Sequence, residues 1–233
     1  MSYIKLSSGK FYFTPKHLYV GIKPINKELA AENLKLFQTI LDTHNIQWGL
    51  AFGTVLGAVR EHDFISHDED IDVYVLSENE DQFKELLPIL KENKFDLIRY
   101  ERRGLYSIER NGEYIDIYIF YPYKKGIRNN GADFMLESHL LETKKISLRN
   151  VSCSIPQNYT ECMEILYGKT WMIPIPYTTY NLSKIQILKH KIISDIKQML
   201  PDNLYHLLLK RHINKRYNVF KKTINLANYL HKK

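Results

Sequence analysis

At 233 residues, 44% hydrophobic and 25% charged, the chain can bury a core of its own without disulfide staples, as ordinary soluble globular proteins do. Its two cysteines, Cys153 and Cys162, form no CxxC pair or Cys/His array, which argues against a structural zinc site. The net charge of +7 is uneven: residues 203–233 hold eight Lys/Arg and no acid, while the first 202 carry 25 basic and 26 acidic groups, so a protein built wholly around nucleic acid is not expected.

The first twenty residues have neither an unbroken apolar stretch nor a small-residue cleavage site, and no run of about 18 apolar residues occurs. The expectation is a cytoplasmic protein. Residues 27–45 place Ala30, Leu34, Phe37 and Leu41 at helical spacing behind Asn26, a residue suited to cap the first turn. IQWGLAF (46–52) is a short strand, Gly53-Thr54 turns into the short helix TVLGAVR, FISHDED is a loop, and IDVYVL (71–76) is a strand. Ser77 to Lys94 reads as one continuous helix with Ser77 and Glu80 as a capping box and Phe83, Leu86, Leu87 and Leu90 as its buried stripe.

LYSIER and EYIDIYIF flank Asn111-Gly112, a dipeptide that supplies the positive φ angles of a two-residue turn, so they form a hairpin. Residues 121–150 yield only loop and helix fragments. Residues 156–167 are helical, stopped by Gly168, and PIPYTTY is extended. Ile185, Leu188, Ile192, Ile196 and Met199 mark a helix ended by Pro201, and a last helix spans 213–231.

The chemistry concentrates in GTVLGAVREHDFISHDEDIDV (53–73), where four acidic residues precede an apolar strand. Residues i and i+2 of a strand share a face, so Asp70 and Asp72 point together. Asp116 sits among apolar neighbours on the second hairpin strand, and if the strands pair with matching faces three carboxylates converge. All-oxygen donors suit a hard cation, Mg2+ or Mn2+, bound with substrate phosphates. Gly53-Thr54 opens a helix whose free N–H groups and dipole suit phosphate, Thr54 adds a hydroxyl, and Arg60 a bidentate clamp. His62 and His67 flank the acidic run as ordinary loop histidines, and no hydroxyl or thiol stands in a nucleophile elbow.

GTVLGAVR, FISHDEDIDV and YIDIYIF, in that order, closely resemble the LicD family of phosphotransferases, which includes the fukutin-related domains and usually reads GTLLGAVR, FIPWDDDIDV and a later hydrophobic-Asp-hydrophobic strand. SIPQNYTECMEILYGKTWMIPIP agrees with the family's later pattern of Pro, helix, Tyr-Gly and Trp before prolines, so the resemblance covers roughly residues 30–180. It implies an α+β, nucleotidyltransferase-like fold with a mixed sheet flanked by helices. An N-terminal extension (1–25), a catalytic domain (26–180) and a basic helical region (181–233) would follow one another.

By the same resemblance Asp70, Asp72 and Asp116 are the catalytic and metal-binding carboxylates. Gly53, Thr54 and Arg60 hold donor phosphates, and Asp68 stands near the metal. The implied reaction is Mg2+- or Mn2+-dependent transfer of a phosphorylated small group, such as phosphocholine or a polyol phosphate, from a CDP-activated donor to a glycan or lipid-linked glycan, with CMP leaving and Asp116, or a metal-bound neighbour, helping to deprotonate the acceptor. Ser66-His67 replaces the family's Pro-Trp and Glu69 an Asp, so the loop carrying His67, which can touch the transferred group, is chemically distinct.

Two alternatives stand beside this reading. One is a nucleotidyltransferase that attaches NMP to a protein, RNA or small molecule; the other is an inactive glycan- or nucleotide-binding module. Leu207, Leu208, Ile213, Tyr217 and Phe220 interleave with the basic residues of 203–233, a pattern that fits either peripheral membrane contact or a docked helix with a solvated basic face.

Overall fold

The computed structural model describes residues 2–16, 18, 23–174 and 184–224. Strands β1 (Ser2–Leu6) and β2 (Gly9–Phe13), within the N-terminal extension, form a hairpin whose Ile4 and Phe13 enter the main core. In α1 (Lys27–Thr43) the Asn26 side-chain oxygen accepts the Leu29 N–H at 3.1 Å, and Ala30, Leu34, Phe37 and Leu41 are fully buried. The cap satisfies one of the four orphan donors of the first turn. Strand β3 (Trp48–Leu50), helix α2 (Phe52–Arg60) and strand β4 (Asp70–Leu76) follow.

Where one continuous helix was expected, Ser77–Asn79 is a 3-10 turn and the helix breaks at Leu86 into α3 (Glu80–Glu85) and α4 (Leu87–Glu92). Pro88 is the cause: it has no N–H to give and its ring collides with the carbonyl four residues back. Ser77 does not cap; its hydroxyl donates to Glu78. Glu80 instead accepts the hydroxyls of Tyr106 and Tyr121 at 2.8 and 2.6 Å. The predicted stripe of Phe83, Leu86, Leu87 and Leu90 is buried all the same.

Strand β5 (Asp96–Glu101) leads to β6 (Leu105–Arg110) and β7 (Glu113–Lys124). The hairpin turn between the last two has Asn111 at φ 56° and Gly112 at φ 81°, as predicted. Residues 121–150, expected as fragments, hold the end of β7, β8 (Ile127–Asn129), β9 (Phe134–Leu136), α5 (Glu137–Leu141) and β10 (Thr143–Leu148), and β11 (Val151–Pro156) pairs with β10. Two of these strands are three residues long, and the turn joining β10 to β11 is Arg149 (φ 46°) and Asn150 (φ 65°), without the glycine that flags such turns in a sequence.

Helix α6 (Tyr159–Tyr167) is capped by Asn158 and stopped at Gly168, φ 84°. The extended run expected over 174–180 lies, beyond Pro174, outside the described residues. Helix α7 (Lys184–Met199) precedes α8 (Asp202–Thr223), which starts well before residue 213; residues 225–231 of the expected last helix are outside the described residues. Tyr217 and Phe220 of α8 are buried against Phe134 and Ile127, with the Phe134 and Phe220 rings stacked at 5.3 Å. Of the apolar residues that interleave with basic ones here, Tyr217 and Phe220 are therefore core. Arg102 fastens the α7–α8 corner by donating to the Leu200 carbonyl at 2.7 Å and pairing with Asp202.

The main sheet runs β3-β4-β7-β6-β5, with β8 and β9 attached to the end of β7. Strands β4 and β7 are parallel and the other pairs antiparallel, so the fold is α+β with a mixed sheet. A parallel pair needs a long crossover, and here it is supplied by everything from α3 to β6. One face carries Val73, Val75, Ile115, Ile117 and Tyr106, covered by α1 through the Phe37–Trp48 contact and by α3 through Phe83–Tyr106. The opposite face holds Tyr74, whose hydroxyl donates to the Leu140 carbonyl at 2.8 Å. Gly49 lies opposite Tyr74; a Cβ there would stand 2.6 Å from the ring, so only glycine lets Tyr74 cross β3.

Candidate active site

The period of two sends Asp70 and Asp72 to that second face of β4, and Tyr114, Asp116 and Tyr118 to the same face of β7. Parallel register then sets Asp72 beside Asp116 and Asp70 beside Tyr114. One carboxylate oxygen from each of Asp70, Asp72 and Asp116 lies within 4.8 Å of the other two. Asp72 and Asp116 are buried, Asp70 half-buried.

The start of α2 supports this cluster. The Gly53 N–H donates to Asp72 Oδ2 at 3.1 Å, and the Asp72 N–H donates to Thr54 Oγ1 at 2.7 Å. A Cβ on residue 53 would stand 2.7 Å from Asp68 Oδ2 and 3.3 Å from Asp72 Oδ2. Glycine is what admits both carboxylates to the helix N-terminus, where the dipole favours negative charge.

Burial first, then the charges of Asp72, Asp116, Asp68 and Glu69, push the Asp70 carboxyl well above the ordinary carboxylate range. Burial, then Asp68 and Asp116, raise Asp72 likewise, against the hydrogen bonds from Tyr118 and Gly53. Burial also raises Asp68 and Glu69. The cluster carries more negative charge than the protein solvates, and its all-carboxylate donor set fits a hard divalent cation.

A cavity of about 340 Å³ opens beside it, lined by Phe52, Gly53, His67, Asp68, Glu69, Asp72, Tyr118 and Tyr167 among others. His67 and Asp68, both singled out in the sequence, therefore face it. Thr54 does not: it is buried, and its hydroxyl accepts from Asp72. Arg60 does not line the cavity either; at the end of α2 it pairs with Glu61 at 2.7 Å and donates to the Trp171 carbonyl at 3.4 Å. Both cysteines are free and buried, their thiols pushed up by burial to about 12.

Sequence reasoning missed Arg99, Ser107, Tyr118, Tyr167 and Phe52. Strand alternation does put Tyr118 on the face of Asp116, two residues on, but by itself gives it no role there. Arg99 and Ser107 reach Asp116 from two other strands, through a register shift between Leu97 and Arg99 that nothing in the sequence announces. Phe52, at φ 39°, packs edge-on to Tyr118 with ring centroids 4.8 Å apart.

A mixed sheet thus sets two aspartates on one strand and a third on its parallel neighbour, beside Gly53 in the first turn of α2. Residues 45–158 match the LicD/FKTN/FKRP nucleotidyltransferase domain. An uncharacterized protein of Rickettsia typhi is 32% identical over 131 residues, which cover 51% of this chain and 40% of the relative. One from Rickettsia prowazekii is 35% identical over 75 residues, 30% of this chain and 28% of the relative. The chain thus spans less than half the length of these curated relatives.

Among solved structures, it is similar to the lincosamide antibiotic adenylyltransferase LnuA bound to lincomycin, at 9% identity and a TM-score of 0.43, covering 72% of this chain and 96% of that one. An antigenic nucleotidyltransferase-like protein from Paracoccidioides brasiliensis gives 13% identity and a TM-score of 0.44, over 86% and 94%.

Proposed function

We propose that the chain is a divalent-cation-dependent transferase that moves a phosphorylated small group, such as phosphocholine or a polyol phosphate, from a CDP-activated donor to a hydroxyl of a glycan. One observation carries the reading: Asp70, Asp72 and Asp116 bring their oxygens within 4.8 Å of one another beside a cavity of about 340 Å³. Mg2+ or Mn2+ held by these three carboxylates would offset the charge that builds on the transferred phosphoryl group.

The chain's own residues do the remainder. The Gly53 N–H and the Tyr118 hydroxyl hold the Asp72 carboxylate in place, while Phe52 and Tyr167 wall the cavity. Asp116 was read as a candidate base, but its two oxygens already accept from Ser107, Arg99 and Tyr118. Asp68, which lines the cavity outside the triad, is better suited to take the proton of the attacking hydroxyl. That oxygen bonds to the distal phosphorus as the bond to the bridging oxygen breaks, and CMP leaves.

The test is CMP release from CDP-choline, CDP-ribitol, CDP-glycerol and CDP-ethanolamine with Mg2+ and a glycan acceptor, expected for one member of the set. Release of pyrophosphate from a nucleoside triphosphate, with no CMP from any of the four, would establish nucleotidyl transfer instead.

The acceptor side of the reading is a membrane surface. On α7, Ile185, Leu188, Ile192, Ile196 and Met199 are exposed, and Leu204, Leu207 and Leu208 of α8 are exposed as well. Ten basic and two acidic residues lie between Lys184 and Lys222. An apolar ridge among lysines and arginines fits an anionic bilayer, where each basic residue near the surface is worth about 1 kcal/mol. Among the described residues no helix is long and apolar enough to cross a membrane. Full-length protein should sediment with phosphatidylserine vesicles and leave them as salt rises. Equal sedimentation after Ile192→Glu and Ile196→Glu would refute the contact.

A further inference from the structure

We propose that Arg99 is a built-in counter-ion of the acidic cluster, holding Asp116 while the site lacks a cation and competing with the divalent cation for that carboxylate. The inference rests on the cation reading above.

Five acidic side chains, Asp68, Glu69, Asp70, Asp72 and Asp116, gather at one end of the sheet, three of them with oxygens within 4.8 Å of one another. Among the described residues, Arg99 is the positive side chain that forms an ion pair within the triad, and its partner is Asp116. The pairing is built by the sheet: Asp72, Asp116, Ser107 and Arg99 are successive Cα partners across β4, β7, β6 and β5. The bulge at Leu97/Arg99 re-aims Arg99 onto the carboxylate face.

Arg99 Nε donates to Ser107 Oγ at 2.8 Å, the Ser107 hydroxyl donates to Asp116 Oδ1 at 2.5 Å, and the guanidinium also bonds Asp116 Oδ2. Ser107 is fully buried, so its hydroxyl has a fixed task. Both oxygens of Asp116 are thus held by one brace, yet Asp116 also offers an oxygen to the triad.

A guanidinium keeps its charge at every pH at which the protein folds. It cannot step aside by losing a proton. A divalent ion that takes Asp116 therefore meets a fixed positive charge on the same carboxylate. At an effective dielectric of about 20, even unit charges about 4 Å apart repel by several times the thermal energy. Arg99 answers the cost of the acidic run in the cation-free protein, and it sets how tightly the site takes its ion.

A residue that only oriented Asp116 would weaken cation binding when removed; a competitor strengthens it. The signs are opposite. Mn2+ binding to the full chain, measured by calorimetry and by loss of the free-ion EPR signal, should be at least about tenfold tighter in Arg99→Met than in wild type. Arg99→Lys, which restores the charge, should return to within about threefold of wild type. Cation-free Arg99→Met should melt lower than wild type and gain more from Mn2+, since a ligand bound to the native state stabilises it according to its concentration over Kd.

If Arg99→Met is unfolded without cation, Mn2+ should restore its folded circular-dichroism spectrum. Failure to do so, or Mn2+ affinity unchanged or weaker in a folded Arg99→Met, overturns the proposal and leaves the cation site standing. No Mn2+ binding by wild type, or equal binding by Asp72→Asn, overturns the cation reading itself and the proposal with it.

Discussion

Asp72→Ala, correctly folded, is expected to lose at least about 100-fold in turnover, the scale on which one preorganised charge-stabilising group acts. Several contacts converge on this side chain. It offers an oxygen to the triad, accepts the Gly53 N–H at 3.1 Å, shares the Tyr118 hydroxyl with Asp116 and stands beside Asp116 in register. Removing it takes a ligand from the cation and the anchor from the start of α2 together. The measurement is CMP release under saturating donor, with circular dichroism to establish that the variant is folded. Turnover within about threefold of wild type would refute the assignment of the triad.

The second large effect runs the other way in stability. In the absence of cation, Asp70→Asn is expected to melt higher than wild type by at least about 2–4 °C, the shift that 1 kcal/mol produces in a domain of this size, while abolishing turnover. Burial, followed by Asp72, Asp116, Asp68 and Glu69, raises the Asp70 carboxyl well above its ordinary value of 3.8. A carboxyl raised by folding destabilises the fold when ionised. That penalty is absent below the ordinary value, grows as pH rises past it, and is complete above the raised folded value.

Glu78 has the opposite sign. Arg128 lowers it from 4.5 to about 2, so its contribution is present above the ordinary value and lost as pH falls toward 2. Thermal melts of cation-free protein from pH 5 to 8 should therefore show wild type losing stability as pH rises, with Asp70→Asn flatter over the same range. Parallel curves, or a lower melt for Asp70→Asn, would mean that Asp70 carries no such strain. Added Mg2+ should close the gap by stabilising wild type alone. The acidic site holds its charge at a cost to the fold, as functional sites with shifted carboxyls commonly do.

Local rules were enough for much of the chain. The Asn26 cap, the buried stripes of α1 and of α3 with α4, the Asn111-Gly112 turn and the stop at Gly168 each depend on residues a few positions apart. Alternation along β4 put Asp70 and Asp72 on one face, and the ordered motifs named the family that the match over residues 45–158 bears out. One local signal was overlooked: Pro88 breaks the helix predicted across it. Another was absent, because the Arg149–Asn150 turn reaches positive φ without glycine.

What the chain could not reveal locally was which strands lie side by side, since register is settled by packing both faces of the sheet at once. Parallel pairing of β4 with β7 brings Asp116 to Asp72, and the bulge in β5 brings Arg99 to Asp116 and Ser107. Tertiary packing also turned Tyr217 and Phe220 inward and withdrew Thr54 and Arg60 from the cavity. The sequence by itself determined the acidic pair and the helix that serves it. Only the tertiary structure supplied the positive charge beside them, because that charge lies three strands away from Asp72 and its position depends on backbone pairing rather than on any neighbour in the chain.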